Sequence, residues 1–378
     1  MKPRILLVGI GGYGENYLQE VLDCPSNDYS VEGICDPYAA RSARYEDILS
    51  RGIKIYENYD TALDSECTLV VIASPIHTHF EYMKKALLKG KDILCEKPPC
   101  IEEAELYELI ELQRKSGTLV AIGYQMCYRP DIQALKKDIQ QGIYGKPVLL
   151  KAIRLMRRGE SYYTRNSWAG RKIVHGTKVY DSPFSNACAH DFQNMLFVLG
   201  NGWNSTTTVK SVEGITLKGN PTIENYDAVA LCAKDVNGTP LYYYTAHCIK
   251  ESKIGPFFEY HFSRAVIKDG GTGITSYDLS GNLIKDYSAF GQGDKLQKFH
   301  EAIFLSGKDR RPSCELETCK EHLRVIAAVQ DLPSLLNIGA RWEDAGDVFY
   351  PIEGLAKLFS DCYAEASLPS LNKIEETI

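Results

Sequence analysis

The chain has 378 residues, 44% of them hydrophobic, which is enough to bury a substantial core and more than one core usually accommodates, so two domains are expected. Its 49 acidic residues outnumber 43 basic ones for a formal net charge of −6, and no long basic run interrupts them, which argues against nucleic acid and for a small molecule as partner. The apolar runs are too short for a membrane span, and the 12 cysteines are scattered without clustered histidines, so a disulfide framework and a metal site are not expected and a cytoplasmic location is.

From residue 4 to residue 122 short apolar runs alternate with longer amphipathic stretches, the rhythm of strands and crossover helices in a doubly wound parallel sheet. Strands are predicted at 5–8, 31–35, 54–56, 69–73, 93–95 and 119–122, and a helix most clearly at 102–116, where Leu106, Leu109, Ile110 and Gln113 share a face. The stretch 5–10 behind Lys2 and Arg4 ends in glycine and reads as a buried strand, not as a secretory signal. The rhythm changes after Tyr124, which divides the chain into an α/β domain at 1–124 and an α+β domain at 125–378. In the second domain a helix is expected at 131–141, a strand at 148–153 and a helix at 185–199. Mostly antiparallel strands follow between about 205 and 290, among them 228–233 and 241–246 around the turn Asn237-Gly238, and helices close the chain at 295–305 and 315–330.

Gly9-Ile10-Gly11-Gly12-Tyr13-Gly14 follows the first strand and opens a helix carrying Leu18, Val21 and Leu22, the context that gives a glycine fingerprint its weight. Such glycines let the backbone turn tightly and approach a pyrophosphate, which then lies on the positive end of the helix. Asp36 ends the second strand, where a carboxylate can accept hydrogen bonds from the adenosine ribose and would repel a 2′-phosphate, so NAD is favoured over NADP. Arg41 can flank the adenine or is a solvated arginine. Ligands of open α/β sheets bind beyond the carboxyl ends of the strands. There the sequence puts Ser74, Pro75, His77 and His79 after the fourth strand, Glu96 and Lys97 after the fifth, and Gln125 after the sixth.

These residues resemble the family of glucose-fructose oxidoreductase, inositol dehydrogenase and rhizopine-catabolism proteins, usually called Gfo/Idh/MocA. The resemblance rests on residues 9–14, the segment from Ser74-Pro75 to His79, residues 90–98 ending in Glu96-Lys97-Pro98, and Arg129-Pro130. It implies a Rossmann domain followed by an α+β domain with a large open sheet, often used for oligomer contacts, and hence a homodimer or homotetramer. It also implies that Lys97 stands beside the nicotinamide and hydrogen-bonds the reacting hydroxyl or carbonyl. The family's second signature is a helix with Asp, His four residues later and Asp three after that. Here His190 matches, while Asn186 and Gln193 stand where the acids belong. Positions 186 and 190 are expected to share a helix face, with Asp191 turned about 100° away.

The implied activity is hydride transfer between NAD and a secondary hydroxyl or carbonyl of a sugar or cyclic polyol, with His190 taking the proton and Lys97 stabilising the alkoxide. Residues 160–168 mix aromatic faces with hydrogen-bond donors, so Tyr163, Arg165 and Trp168 are candidates for substrate contact, as is Asn186; the same loop also reads as one pinned by aromatic packing. Asp181 is an alternative acid. His247, His261 and the aromatic runs 242–244 and 257–258 read as structural. Two rival readings stay open: a glycosidase working by transient oxidation and elimination, and a sensor that binds NAD and a metabolite without chemistry.

Overall fold

A computed structural model of the chain describes residues 2–370 and residue 374. The chain forms two compact units, Met1–Tyr128 with Gly293–Lys320, and Arg129–Gln292 with Glu321–Ile378.

The first unit holds six parallel strands, β1 (Arg4–Val8), β2 (Ser30–Cys35), β3 (Ile55–Tyr56), β4 (Leu69–Ile72), β5 (Asp92–Cys95) and β6 (Val120–Ile122), in the order β3-β2-β1-β4-β5-β6. This is the order of a Rossmann fold, reversing direction between β1 and β4. Every residue of β4 is buried, as befits a central strand covered on both faces, and this is why its sequence is continuously apolar. The crossovers carry α1 (Gly14–Asp23), α2 (Tyr45–Ser50), α3 (Tyr59–Leu63), α4 (Ile76–Leu88) and α5 (Glu103–Ser116). Helix α5 starts in a capping box between Glu102 and Glu105 and stops at Gly117, whose φ of 67° the left-handed termination requires.

The second unit begins with α6 (Pro130–Gln140), β7 (Pro147–Met156), a short α7 (Glu160–Thr164), the pair β8 (Ile173–Val174) and β9 (Thr177–Lys178), and α8 (Ala189–Val198). Strands β10 (Val209–Lys218), β11 (Ala228–Asp235), β12 (Pro240–Ala246), β13 (Lys253–Phe262), β14 (Ala265–Asp269), β15 (Ile274–Asp278) and β16 (Leu283–Asp286) follow. The chain then returns to the first unit with α9 (Gln297–Leu305) and the start of α10 (Leu316–Val329). It ends in the second with β17 (Ser334–Leu336), the hairpin of β18 (Trp342–Asp344) and β19 (Asp347–Phe349), and α11 (Leu355–Glu365).

Nine strands form one sheet, β16-β15-β14-β13-β7-β12-β11-β10-β17, antiparallel except for the pairs β7 with β12 and β10 with β17. The expected hairpin at Asn237-Gly238 joins β11 to β12, with Asp235 accepting the amides of Asn237 and Thr239. Strand periodicity sends neighbouring tyrosines to opposite faces. The Tyr243 hydroxyl donates to the Cys188 carbonyl just before α8, and that of Tyr244 to the Cys362 carbonyl in α11. Helix α11 buries Leu355, Leu358 and Phe359 against Ile153, Leu155, Ile215 and Leu217, so the middle of the sheet face expected to be open is covered by the chain's own helix.

A single cut at 124 does not describe these units. The apolar side of α9, with Phe299, Ala302 and Ile303, completes the core around Ile5, Leu7, Tyr17 and Leu18, and the Ile122 amide donates to the Cys314 carbonyl. No helix among the described residues is long and apolar enough to cross a membrane.

Candidate active site

The fingerprint loop lies at the carboxyl end of β1, and its glycines divide into two kinds. A Cβ on Gly14 would fall 2.0 Å from the Gly9 carbonyl oxygen, and one on Gly9 2.8 Å from the Ser74 nitrogen, so these two let the turn and α1 close on the sheet. Gly11 and Gly12 are exposed with nothing within 4 Å of an added Cβ, which leaves an open cradle for a pyrophosphate at the start of α1. Asp36 borders this loop, one carboxylate oxygen accepting the Ile10 amide at 2.9 Å and the other the Tyr38 amide at 2.8 Å. Each oxygen keeps a lone pair for a ribose hydroxyl. The Arg41 guanidinium stacks 4.4 Å from the centroid of the exposed Tyr38 ring.

Past β4, the Ser74 hydroxyl bonds that of Thr78 at 2.6 Å and Pro75 leads into α4. His77 lies in the first turn of α4. His79, expected at the cofactor, is buried instead, with its two ring nitrogens 2.8 Å from the carbonyl oxygens of Ser74 and Pro98. It clips the loop after β4 to the loop after β5, and burial holds its pKa below the ordinary imidazole range despite the two carbonyls.

Glu96, also expected at the cofactor, is buried too. It faces inward, accepting the Tyr17 hydroxyl at 2.6 Å and pairing at 2.5 Å with Lys298, a lysine of α9 whose side chain is fully buried. Lys298 also bonds the Tyr13 hydroxyl at 3.1 Å, and Tyr13 donates to the Lys295 carbonyl, so Tyr13 of the fingerprint belongs to this network. Burial alone would raise the carboxyl and lower the ammonium. Their mutual attraction, with the help of the tyrosines, reverses both, leaving Glu96 below and Lys298 above their ordinary ranges. Lys97 follows at the rim, half-buried and joined to Pro98 by a cis peptide bond, its amide 3.4 Å from Glu96 Oε2. Gln125, half-buried, opens a single 3₁₀ turn after β6.

In the second unit the segment around His190 is not one helix. Residues Pro183–Ala187 form a π turn, the chain breaks at Cys188 with φ −115°, and α8 begins at Ala189. Asn186 and His190 therefore do not share a helix face: the Pro183 ring at the start of the turn and the reciprocal Ser182–Ser185 cap wind the segment into a separate turn. The turn brings the Asn186 amide to Asp181, donating at 2.8 Å. Asp181 is buried and also accepts the Gly170 amide at 2.7 Å, so it is a structural acceptor in this loop. His190 and Gln193 lie buried on α8, and Asp191 pairs with Arg154 of β7 at 3.2 Å. Burial keeps the Asp191 carboxyl above its ordinary range even so.

The loop expected to meet substrate contains α7 and divides in two. Tyr163 turns into the core with Ala169 and Ile223, its hydroxyl 2.9 Å from His247 Nδ1, and so is not placed for substrate. Arg165, exposed, lies 3.5 Å from the centroid of Tyr162 and 5.7 Å from that of the half-buried Trp168.

With this geometry in place, residues 3–124 match the family described as oxidoreductases with an NAD-binding Rossmann fold, GFO_IDH_MocA. Residues 3–124 form a Gfo/Idh/MocA NAD-binding domain. The chain is 28% identical over 149 residues to inositol 2-dehydrogenase/D-chiro-inositol 3-dehydrogenase of Lactiplantibacillus plantarum, covering 39% of this chain and 42% of that protein. It is 30% identical over 146 residues to inositol 2-dehydrogenase of Salmonella typhimurium, covering 38% and 43%. Thus the chain spans less than half the length of these two relatives. At the level of fold it is similar to the WlbA dehydrogenase from Bordetella pertussis in complex with NADH and UDP-GlcNAcA, with a TM-score of 0.74 and 17% identity over 87% of this chain and 95% of that one.

Within the first unit, sequence reasoning missed Lys298 as the partner of Glu96. Its signal was a lysine on the apolar side of the 295–305 pattern, between Leu296 and Phe299, where burial demands a counter-charge.

Proposed function

We propose that the chain is an NAD-dependent oxidoreductase that moves a hydride between nicotinamide and the carbon of a secondary hydroxyl or carbonyl in a sugar or cyclic polyol. The observation that carries this reading is the open cradle of Gly11 and Gly12 beside Asp36, on the same sheet edge from which β5 delivers Lys97. Bound NAD supplies the hydride acceptor. The chain's own residues do the rest. Asp36 accepts the ribose hydroxyls and disfavours NADP, with Arg41, Ser74, Pro75 and Gln125 around the cofactor. Lys97 holds the substrate oxygen and stabilises its alkoxide, and His190 takes the hydroxyl proton. Asn186 cannot ionise, so its part is to present its amide to substrate while held by Asp181.

In this reading the first unit serves the cofactor and the second the substrate, in a cytoplasmic homodimer or homotetramer. With α11 over the middle of the large sheet, the subunit contact falls on its β13–β16 end, where Phe257, Leu283 and Ile284 are exposed; a monomer in size-exclusion chromatography would remove this part.

The test is incubation with NAD and a panel of sugars, polyols and aryl glycosides, following NADH absorbance and product release together. NADH formation whose kcat/KM falls about 10²–10⁴-fold in Lys97→Ala is the expected result. Glycoside cleavage without NADH accumulation would replace it with the oxidation–elimination reading, and NAD binding with neither activity would replace it with the sensor.

A further inference from the structure

Resting on the oxidoreductase reading, we infer that the substrate carries an anionic group, a carboxylate or phosphate, held by Arg158 and Arg165 on either side of Tyr162 in sequence. The two guanidinium carbons lie 4.8 Å and 3.5 Å from the centroid of the same tyrosine ring. Among the described residues neither arginine has a carboxylate within 4.0 Å. Arg158 Nε is shut off from solvent and donates to no atom, whereas Arg165 donates to the Tyr162 carbonyl at 2.5 Å.

The acids of this region are engaged elsewhere: Asp181 with the Gly170 amide and Asn186, Asp191 with Arg154, and Asp227 with the amides of Gly219 and Asn220. At His247 the neighbouring charges are the three cations Arg158, Arg165 and Arg154. His247 stands with its ring edge-on to Tyr162 at 5.3 Å, and burial together with Arg158, Arg165 and Arg154 presses it well below the ordinary imidazole range, so it adds no charge of its own.

A planar guanidinium fork matches a carboxylate or phosphate in geometry as well as charge. The Tyr162 ring holds both guanidinium groups by cation–π contact and so fixes where they stand. A neutral polyol would instead leave two guanidinium groups that have no carboxylate partner among the described residues without an anion. The anionic group stays intact through the reaction; its part is to fix the substrate's register.

Matched pairs test this: D-glucose with D-glucuronate, D-galactose with D-galacturonate, and D-glucose with glucose 6-phosphate. Each is titrated calorimetrically into NAD-loaded protein and assayed in parallel for NADH. The charged member of at least one pair should bind about 10–100-fold more tightly than its neutral partner, the worth of one charge-assisted hydrogen bond. The uronate and 6-phosphate arms tell carboxylate from phosphate. The preference should collapse in Arg165→Gln, an exposed position that leaves the core untouched, and in Arg158→Gln, and partly survive in Arg158→Lys. Equal binding within every pair, or a preference that persists in both glutamine variants, overturns the inference. NADH from neutral sugars as readily as from charged ones overturns it too while keeping the oxidoreductase. Charge-selective binding lost in the variants but without NADH supports the anion site and removes the oxidoreductase.

Discussion

The buried Glu96–Lys298 pair shows how one residue can be misread when its partner is far off in sequence. A charged residue directly before Lys97, at the rim of a sheet, suggests a second cofactor contact. In the folded chain it is an acid 10% exposed whose counter-charge arrives from α9. Removing one partner strands the other, so Lys298→Met is expected to lower stability by about 3–5 kcal/mol, with a good part recovered in the double variant Lys298→Met/Glu96→Gln. Urea denaturation of the single and double variants checks this. The pH dependence follows from the two shifts: Glu96 is depressed, so its contribution is present at neutral pH and lost as pH falls through its folded pKa. Lys298 is raised, so its contribution is lost only as pH rises through its own. The wild type should therefore lose this stabilisation at both acid and alkaline extremes, and the double variant at neither.

At the scale of the element, the turn before α8 decides what Asn186 can do. Had 183–198 been one continuous helix, residue 186 would stack on 190, and restoring the family's aspartate would look like a gain. The π turn instead holds position 186 within 2.8 Å of Asp181. Asn186→Asp would replace a donor with a second carboxylate, and the like-charge pair would raise the folded pKa of one of them. We expect about 1–3 kcal/mol of destabilisation at pH 7, shrinking as pH falls through that raised pKa and the pair shares a proton. Thermal melts of the variant at pH 7 and pH 4.5 decide the point; a variant as stable as wild type at pH 7 would mean the Asp181 contact is dispensable.

At the scale of the whole molecule, the first unit is discontinuous. Helix α9 fills its core with Phe299, Ala302 and Ile303 and carries Lys298 as well. A chain ending at residue 128 would expose that apolar surface and leave Glu96 without its ammonium, and losing several large side chains at about 2–4 kcal/mol each exceeds the margin of most domains. Residues 1–128 alone should be insoluble or lack a cooperative unfolding transition by circular dichroism. A cooperative melt for that piece would show that the core closes without α9.

The local features were legible from the residues because their causes are local. The fingerprint turn at 9–14 follows from where a Cβ collides, the central strands β1 and β4 from runs of buried apolar residues, and the hairpin at Asn237-Gly238 from a φ of 82° that glycine tolerates. Strand alternation likewise read Tyr243 and Tyr244 correctly as packing residues. What only the tertiary structure decided is which groups satisfy one another: Glu96 with Lys298, Tyr163 with His247, Asn186 with Asp181, and α11 with the sheet face that looked open. A buried charge or donor must find a partner, but its own sequence neighbourhood does not say where in the chain that partner lies, because the choice is made by which strands pair and which helix returns to cover them.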